Sequence, residues 1–379
     1  MKHTKVTRKL FMSCLWAFLA YWTGIWWGLI WAGLALVSIT LARWQPYQSL
    51  QHGIIYRGYR YVKLVILTVF AALAVRVFLL GIYAIPSGSM ESAIKPGDVV
   101  LMERWTFGPR RPASLAEVPN LGNLLALVPE LHRWFSQHTL PPKRLAGIGS
   151  IDRGDIVVFD HPQSDIVMIK RVVGLPGDTL ALVHGTVTIS GVPSDPVGGT
   201  RIKWHIEDDT LSTNVGGRSR YYGGALRLTW QEALDMMDSL SVELRPEHKQ
   251  VGKGMYPKSK NVQSTLDDWT PPTIPQKGLT VTLTEDNLEW YLPLIILQEG
   301  ASFERSQHTG FYYINGAFTD MYTFKQDYFL VFGDNRYNSK DSRYWGFLPA
   351  DHIHGVVPLV LFSTAKYQPY GTRRTFKKL

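Results

Sequence analysis

The chain has 379 residues, with 40 Lys and Arg against 31 Asp and Glu, 45% hydrophobic residues and one cysteine, Cys14. That length holds one large or two modest domains beside any membrane segment, and a single cysteine excludes both an internal disulfide and a cysteine-built zinc site. Residues 1–90 carry Lys2, Lys5, Arg8, Lys9, Arg43, Arg57, Arg60, Lys63 and Arg76 and no acidic residue, while the rest of the chain balances to zero, which argues against a nucleic-acid-binding face.

From Leu10 to Ala42 the chain carries no charge. As a helix this stretch would run about 50 Å, longer than a bilayer core of ~30 Å and too long for a cleavable signal peptide. It reads as one long tilted helix, with a hairpin turning near Tyr21–Trp27 as the alternative. The number of crossings and the side of the N-terminus stay open. Trp44 to Arg60 form a polar, aromatic-rich connector, completing a membrane-proximal segment over residues 1–61. Residues 62–84 follow as a spanning helix, with Lys63 and Arg76 near its ends able to snorkel outward. The apolar run continues to Ile85, so Ser89 is expected at the membrane surface.

Beyond it, Val99–Met102 reads as a buried strand. Residues 105–150 look like an insertion in which Leu121, Leu124, Leu125, Val128, Leu131 and Phe135 recur at helical spacing. The expectation is a helix packed on the domain, the alternative an interfacial membrane helix. Strands are expected at Ile156–Phe159 and Ile166–Val173, the second ending at Gly174–Asp178 and carrying Lys170. Thr229 and Glu232 form a capping box for a helix to about Leu240. Residues 249–277, rich in Lys, Pro and Ser, read as a mobile loop, Leu279–Leu283 and Leu292–Leu297 as strands. Tyr328–Phe332 and Val356–Phe362 read as core strands, and the basic tail Arg373, Arg374, Lys377 and Lys378 as solvated. Short strands and frequent turns make the polar part mainly β.

The chemistry centres on Ile85-Pro86-Ser87-Gly88-Ser89-Met90. A serine needs a base to become a nucleophile at neutral pH. The histidines are scattered, and no Gly-x-Ser-x-Gly elbow surrounds Ser89. A lysine serves if it is neutral, and burial among apolar side chains disfavours its charged form. Lys170, among Met168, Ile169, Val172 and Val173, best fits that demand, although spacing alone equally describes a strand lysine reaching water. The turn Gly333–Arg343 is dense in groups able to bond backbone, and is read either as a brace for the site or as a tight turn alone.

Three blocks, Ile85–Met90 with Pro96-Gly97-Asp98, then Arg153-Gly154-Asp155 with Lys170–Asp178, then Gly333–Gly346, together resemble the bacterial type I signal (leader) peptidases, membrane proteases with a Ser/Lys pair. The resemblance implies Ser89 as nucleophile, Lys170 as general base, and Ser87 with the Ser89 N–H as oxyanion hole. It implies that Ser339 orients Lys170, that Asp341 and Arg343 form a supporting ion pair, and that Asp334 and Arg336 are structural turn residues. Tyr83, Ile85 and Ile169 match positions lining shallow pockets for small side chains. The implied fold is a β-rich catalytic core (85–179 and 326–379) with a β cap over 180–325, behind the N-terminal transmembrane helices. The implied activity is removal of signal peptides from exported preproteins at the outer face of the bacterial inner membrane, with the signal peptide and the lipid bilayer as partners and no metal, cofactor or nucleic acid. A specialised peptidase for one substrate such as a pilin, and a non-catalytic scaffold of the same fold, are the alternatives. Glu91-Ser92-Ala93 after the Ser-Met pair, and Lys340, depart from the family's usual residues and make the rim more charged.

Overall fold

The computed structural model describes residues 73–112, 114–118, 125–138, 140, 143–164, 166–183, 185–194, 201–206, 221–222, 225–240, 244–246, 254–258, 264–306, 312–364 and 374–379, with positions 58, 62, 63, 66 and 67 before them. The apolar stretch Leu10–Ala42 and most of the helix expected over 62–84 lie outside this set. Among the described residues no helix is long and apolar enough to cross a membrane. The chain divides into two compact units, one of residues up to Leu80 with Gly108–Ile148, the other of Gly81–Phe107 with Gly149–Leu379.

The second unit is built on one sheet. Its strands are β1 (Leu80–Ala84), β2 (Asp98–Glu103), β3 (Ile156–Asp160), β4 (Val167–Gly174), β5 (Tyr328–Phe332), β6 (Leu348–Pro349), β7 (Ile353–Ser363) and β8 (Lys377–Lys378). Their order is β1-β2-β7-β3-β4-β5-β6, with β8 also paired to β7. Neighbours from β2 to β6 run antiparallel. β3 and β5 are continuous apolar runs because both of their faces are covered. Successive side chains of a strand point to opposite faces. Thus Val157 and Phe159 join one buried cluster with Val172, Val331 and Trp345, while Ile156 and Val158 join another with Ile85, Met90, Ile94 and Val100.

Residues 180–325 form several small sheets rather than an extension of the main one. Leu180, Leu182, Trp269, Trp290, Tyr291 and Phe324 share a single apolar cluster with Val173 of β4 and with Leu330 and Phe332 of β5. The helix expected after Thr229 is present, over Trp230–Leu240.

Several expectations are corrected. Residues 80–84 are a strand, not the end of a helix; aromatic and β-branched side chains at Ile82 and Tyr83 suit a pleated surface, and β2 supplies the partner ladder. Leu292–Leu297 is not a strand: a helix over Glu285–Pro293 passes into a wider helical turn over Leu294–Gln298. The Asn287 side chain starts that helix by accepting from the Thr284 N–H at 2.9 Å, and burial of Leu288, Trp290, Tyr291, Leu294 and Ile295 fixes its apolar side. The segment 249–277 reads as mobile by composition, yet it lays Met255, Tyr256, Trp269 and Ile274 into the core. The Trp269 indole donates to the Tyr256 carbonyl at 2.7 Å, and the Tyr256 hydroxyl to the Trp290 carbonyl at 2.6 Å. The basic tail is not simply solvated: Lys377–Lys378 pair with β7, and Arg374 is buried.

Candidate active site

Ser89 sits on the loop between β1 and β2, and that loop is closed at its neck. The Ile85 N–H donates to the Asp98 carbonyl at 2.9 Å and the Gly97 N–H to the Ile85 carbonyl at 2.8 Å. Gly97 makes this return possible with φ +88°, a conformation that costs an L side chain and not glycine. Within the loop one helical turn follows the serine, with the Ile94 N–H donating to the Met90 carbonyl at 2.9 Å. Met90 and Ile94 are buried and anchor the loop in the core. Its base is held by Asp98, whose carboxylate accepts from the Lys95 N–H and from the guanidinium of Arg374. Burial works against that carboxylate, but Arg374 and the Lys95 N–H hold its pKa below the usual value. Arg374 also donates to the Ala93 carbonyl at 2.7 Å, so the C-terminal residues strap the serine loop down.

The loop's other side rests on the turn after β5. The Asn335 N–H donates to the Ser89 carbonyl at 3.0 Å, and its side-chain amide to the Gly88 carbonyl at 3.1 Å. Both carbonyls flanking the serine are thereby fixed. Gly333 packs directly beneath: a Cβ there would stand 2.6 Å from the Ser89 carbonyl oxygen and 2.3 Å from Ser339 Oγ. Neither Asn335 nor Arg374 stands among the residues expected from sequence. Their partners lie 247 and 276 positions away, and no local pattern announces them.

Lys170 comes from the middle of β4, opposite Val157 of β3. Its Nζ lies 2.8 Å from Ser89 Oγ and donates to the Ile169 carbonyl at 2.9 Å. The side chain is 3% exposed. Burial drives its pKa from 10.5 down to about 8, against the opposing charges of Asp341 and Asp334. A tenth of such a group is neutral near pH 7, roughly a hundredfold or more above the fraction for an exposed lysine. Ser87 Oγ stands 3.5 Å from Ser89 Oγ and is exposed. Tyr83, Ile85 and Ile169 fall in one apolar cluster with Met90.

The remaining expected residues form the floor. Asp334 takes both ends of the Arg171 guanidinium, at 2.8 and 2.7 Å, while Arg171 also donates to the Gly154 carbonyl at 2.7 Å. Arg171 follows Lys170 in β4, so one strand delivers both the amine and the brace of the turn. Asp341 and Arg343 are fully buried and paired at 2.8 and 2.9 Å. Burial alone would push the Asp341 carboxyl up, but Arg343 beside it and the Gly333 N–H, which donates at 3.0 Å, hold it below its ordinary range. Arg343 ties the turn together further by donating to the carbonyls of Arg336 and Leu266. Arg336 and Arg343 both lie over the Phe332 ring, at 5.0 and 5.2 Å. Ser339 is buried near enough to Asp341 to favour its charged form, without a hydrogen-bond partner for its hydroxyl. Its expected bond to Lys170 is absent from this structure.

Asp341→Ala would leave Arg343 charged, buried and unpaired. The expected loss is about 3–5 kcal/mol, seen in urea unfolding of the detergent-solubilised chain. A loss within experimental error would show that the pair contributes nothing to stability.

The signal peptidase family model, peptidase S26, matches residues 59–257 and 297–362, and the matched stretches contain all three sequence blocks. Signal peptidase I of Buchnera aphidicola subsp. Schizaphis graminum is 24% identical over 309 residues, covering 81% of this chain and 76% of that protein. Signal peptidase I of Pseudomonas aeruginosa PAO1 is 35% identical over 112 residues, 29% of this chain and 30% of that protein. A crystal structure of a signal peptidase I from Enterococcus faecalis V583 covers 55% of this chain and 98% of its own at 20% identity, with a TM-score of 0.22, too low to speak to the fold. The family match, by contrast, reaches from ahead of β1 into β7 and takes in the serine loop, β4 and the turn after β5: the chain belongs to the signal peptidase family, peptidase S26.

Proposed function

We propose that Ser89 and Lys170 are the catalytic pair with which this signal peptidase, a serine endopeptidase, removes signal peptides from preproteins. The observation that carries this reading is the 2.8 Å contact between a half-buried serine hydroxyl and a buried lysine amine. Neutral Lys170 takes the Ser89 proton as Oγ bonds to the carbonyl carbon of the scissile peptide and the carbonyl electron pair moves to oxygen. That oxyanion is received by the Ser89 N–H and the Ser87 hydroxyl, each donor worth about 2.7–4 kcal/mol in comparable sites. When the C–N bond breaks, protonated Lys170 returns its proton to the leaving amine, and the mature protein departs with a free N-terminus. Water then attacks the Ser89 ester, giving its proton to Lys170; as the bond from the acyl carbon to Oγ breaks, Lys170 returns that proton to Ser89 Oγ, and the signal peptide leaves as a carboxylic acid. Ser339, with a hydroxyl that has no partner, is the group proposed to steady the Lys170 ammonium between these steps.

Tyr83, Ile85 and Ile169 are proposed as walls of the pockets that accept small side chains, with the substrate extended beside β1, an outer strand of the sheet. The apolar run ahead of Leu80 is proposed as the membrane anchor and the preceding one as a further span. The catalytic residues then face the extracytoplasmic side of the bacterial inner membrane. The decisive experiment incubates the detergent-solubilised chain with a preprotein and locates the cut by mass spectrometry. Cleavage after a small residue at the end of the signal segment, lost in Ser89→Ala, is the expected result; cleavage retained in Ser89→Ala would end the assignment.

The base sets the pH dependence. The competent form is the neutral amine, whose fraction grows as pH rises through about 8. The kcat/KM for a preprotein is expected to climb about tenfold per pH unit below that value and to level off above it. A profile that rises through about 6.5, as for an ordinary histidine, and is already flat between about pH 7 and 8 would exclude Lys170 as the base.

A further inference from the structure

In the first unit the helix α1 (Pro129–Gln137) buries none of its residues among the described ones. Leu127, Val128, Leu131 and Trp134 are 76, 52, 43 and 48% exposed. At 100° per residue Leu131 and Trp134 fall on one side of the helix with Phe135, whose ring meets Trp134 edge-on at 4.9 Å, and Leu127 and Val128 lead into it. Glu130, Arg133, Ser136 and Gln137 occupy the other side. Scattered exposed leucines are ordinary on a soluble surface, whereas a contiguous apolar stripe marks something that covers it.

The same unit indicates what that is. Val77 and Phe78, at the end of the helical residues before β1, share a buried cluster with Leu115, Val118 and Leu145 of the insertion. The insertion is therefore folded against the end of the apolar helix, where hydrocarbon gives way to headgroups. Tryptophan is favoured at that depth. Charge agrees: between 108 and 148 the chain carries Arg110, Arg111, Arg133, Lys143 and Arg144 against Glu117 and Glu130. Arg110 and Arg111 pair with Arg144 and Lys143 across a short two-stranded ladder, which concentrates four cations.

We propose that α1 lies in the plane of an anionic bilayer surface, with Leu127, Val128, Leu131 and Trp134 in the acyl boundary and Arg133 toward water. This rests on the reading that the apolar run ahead of Leu80 is a membrane anchor. An amphipathic helix of this kind gains from buried apolar area and from attraction to anionic headgroups.

The test uses the full chain with Cys14→Ser, reconstituted into vesicles of phosphatidylethanolamine and phosphatidylglycerol. A fluorescent label is attached at Leu131→Cys, at Trp134→Cys or, as the control, at Arg133→Cys. Lipid-borne nitroxide is expected to quench the first two labels severalfold more strongly than the third, and aqueous iodide to show the reverse order. Labels at 131 and 134 quenched by iodide and not by nitroxide would place α1 in water; labels reached by neither would place it under protein. Either result overturns the proposal. Vesicle flotation separates the two readings: a chain that fails to float loses the anchor and α1's placement together, whereas one that floats with unquenched labels loses only the latter.

Discussion

Lys170→Met lowers kcat/KM for a preprotein by about 10²–10⁴-fold or more, the range over which a positioned proton acceptor acts, while the chain becomes no less stable. The two halves of this result come from one cause. Burial at 3% exposure pulls the amine from 10.5 to about 8, so at neutral pH the folded state holds a charge that it would rather not hold. The unfolded chain keeps more protons on this group than the folded one between about 8 and 10.5. Its contribution to stability therefore rises with pH across that window and is unfavourable below it. Methionine has similar length and no charge to desolvate. A structural lysine would behave oppositely, costing stability and sparing the rate. Measuring kcat/KM by mass spectrometry and the urea midpoint on the same preparation decides between them, and a Lys170→Met chain that still processes at the native rate would remove the lysine from the mechanism.

The parts of the fold legible in sequence are those where one residue's surroundings are local. The runs Ile156–Phe159 and Tyr328–Phe332 are continuous apolar stretches because both faces of the sheet are covered, and they read as strands directly, as does Val167–Gly174, where apolar residues flank Lys170 and Arg171. The same rule misjudges Leu292–Leu297, since a short apolar run suits a buried helix equally well and the Thr284–Asn287 start signal lies upstream of it. Leu80–Ala84 is hidden for another reason: the strand follows a helix without any polar break, and only β2, a distant partner, decides its conformation. For the site, Lys170 and Ser89 are legible through the resemblance of whole blocks and not through spacing. Physical pattern alone could not say that an amine in β4 meets a hydroxyl 81 positions earlier. Arg374 lies outside the blocks, and Asn335 and Arg171 lie within them without an assigned role, because each acts through a main-chain carbonyl or a carboxylate that only the folded chain brings near.

Gly333→Ala is expected to cost at least about 10²-fold in kcat/KM, the scale on which a displacement of ~1 Å at a reacting group acts. The added methyl would stand 2.3 Å from Ser339 Oγ, 2.6 Å from Ser339 Cβ and 2.6 Å from the Ser89 carbonyl oxygen. Such distances are not tolerated, and something must shift. Ser339 can be removed and the Ser89 main chain cannot, which separates the two contributions. In Gly333→Ala the misfit with Ser339 should appear as lost stability, about 1–3 kcal/mol for overpacking of a buried site. Adding Ser339→Gly relieves that clash and restores most of the urea midpoint. It leaves the methyl pressed against the carbonyl that the Asn335 N–H holds at 3.0 Å. The double variant should therefore regain stability without regaining rate, beyond whatever Ser339→Gly costs alone. Recovery of both together would mean that the turn merely fills space. Recovery of the midpoint alone means that it sets the height of Ser89 under the substrate carbonyl, and that the missing side chain at position 333 serves the geometry of the nucleophile.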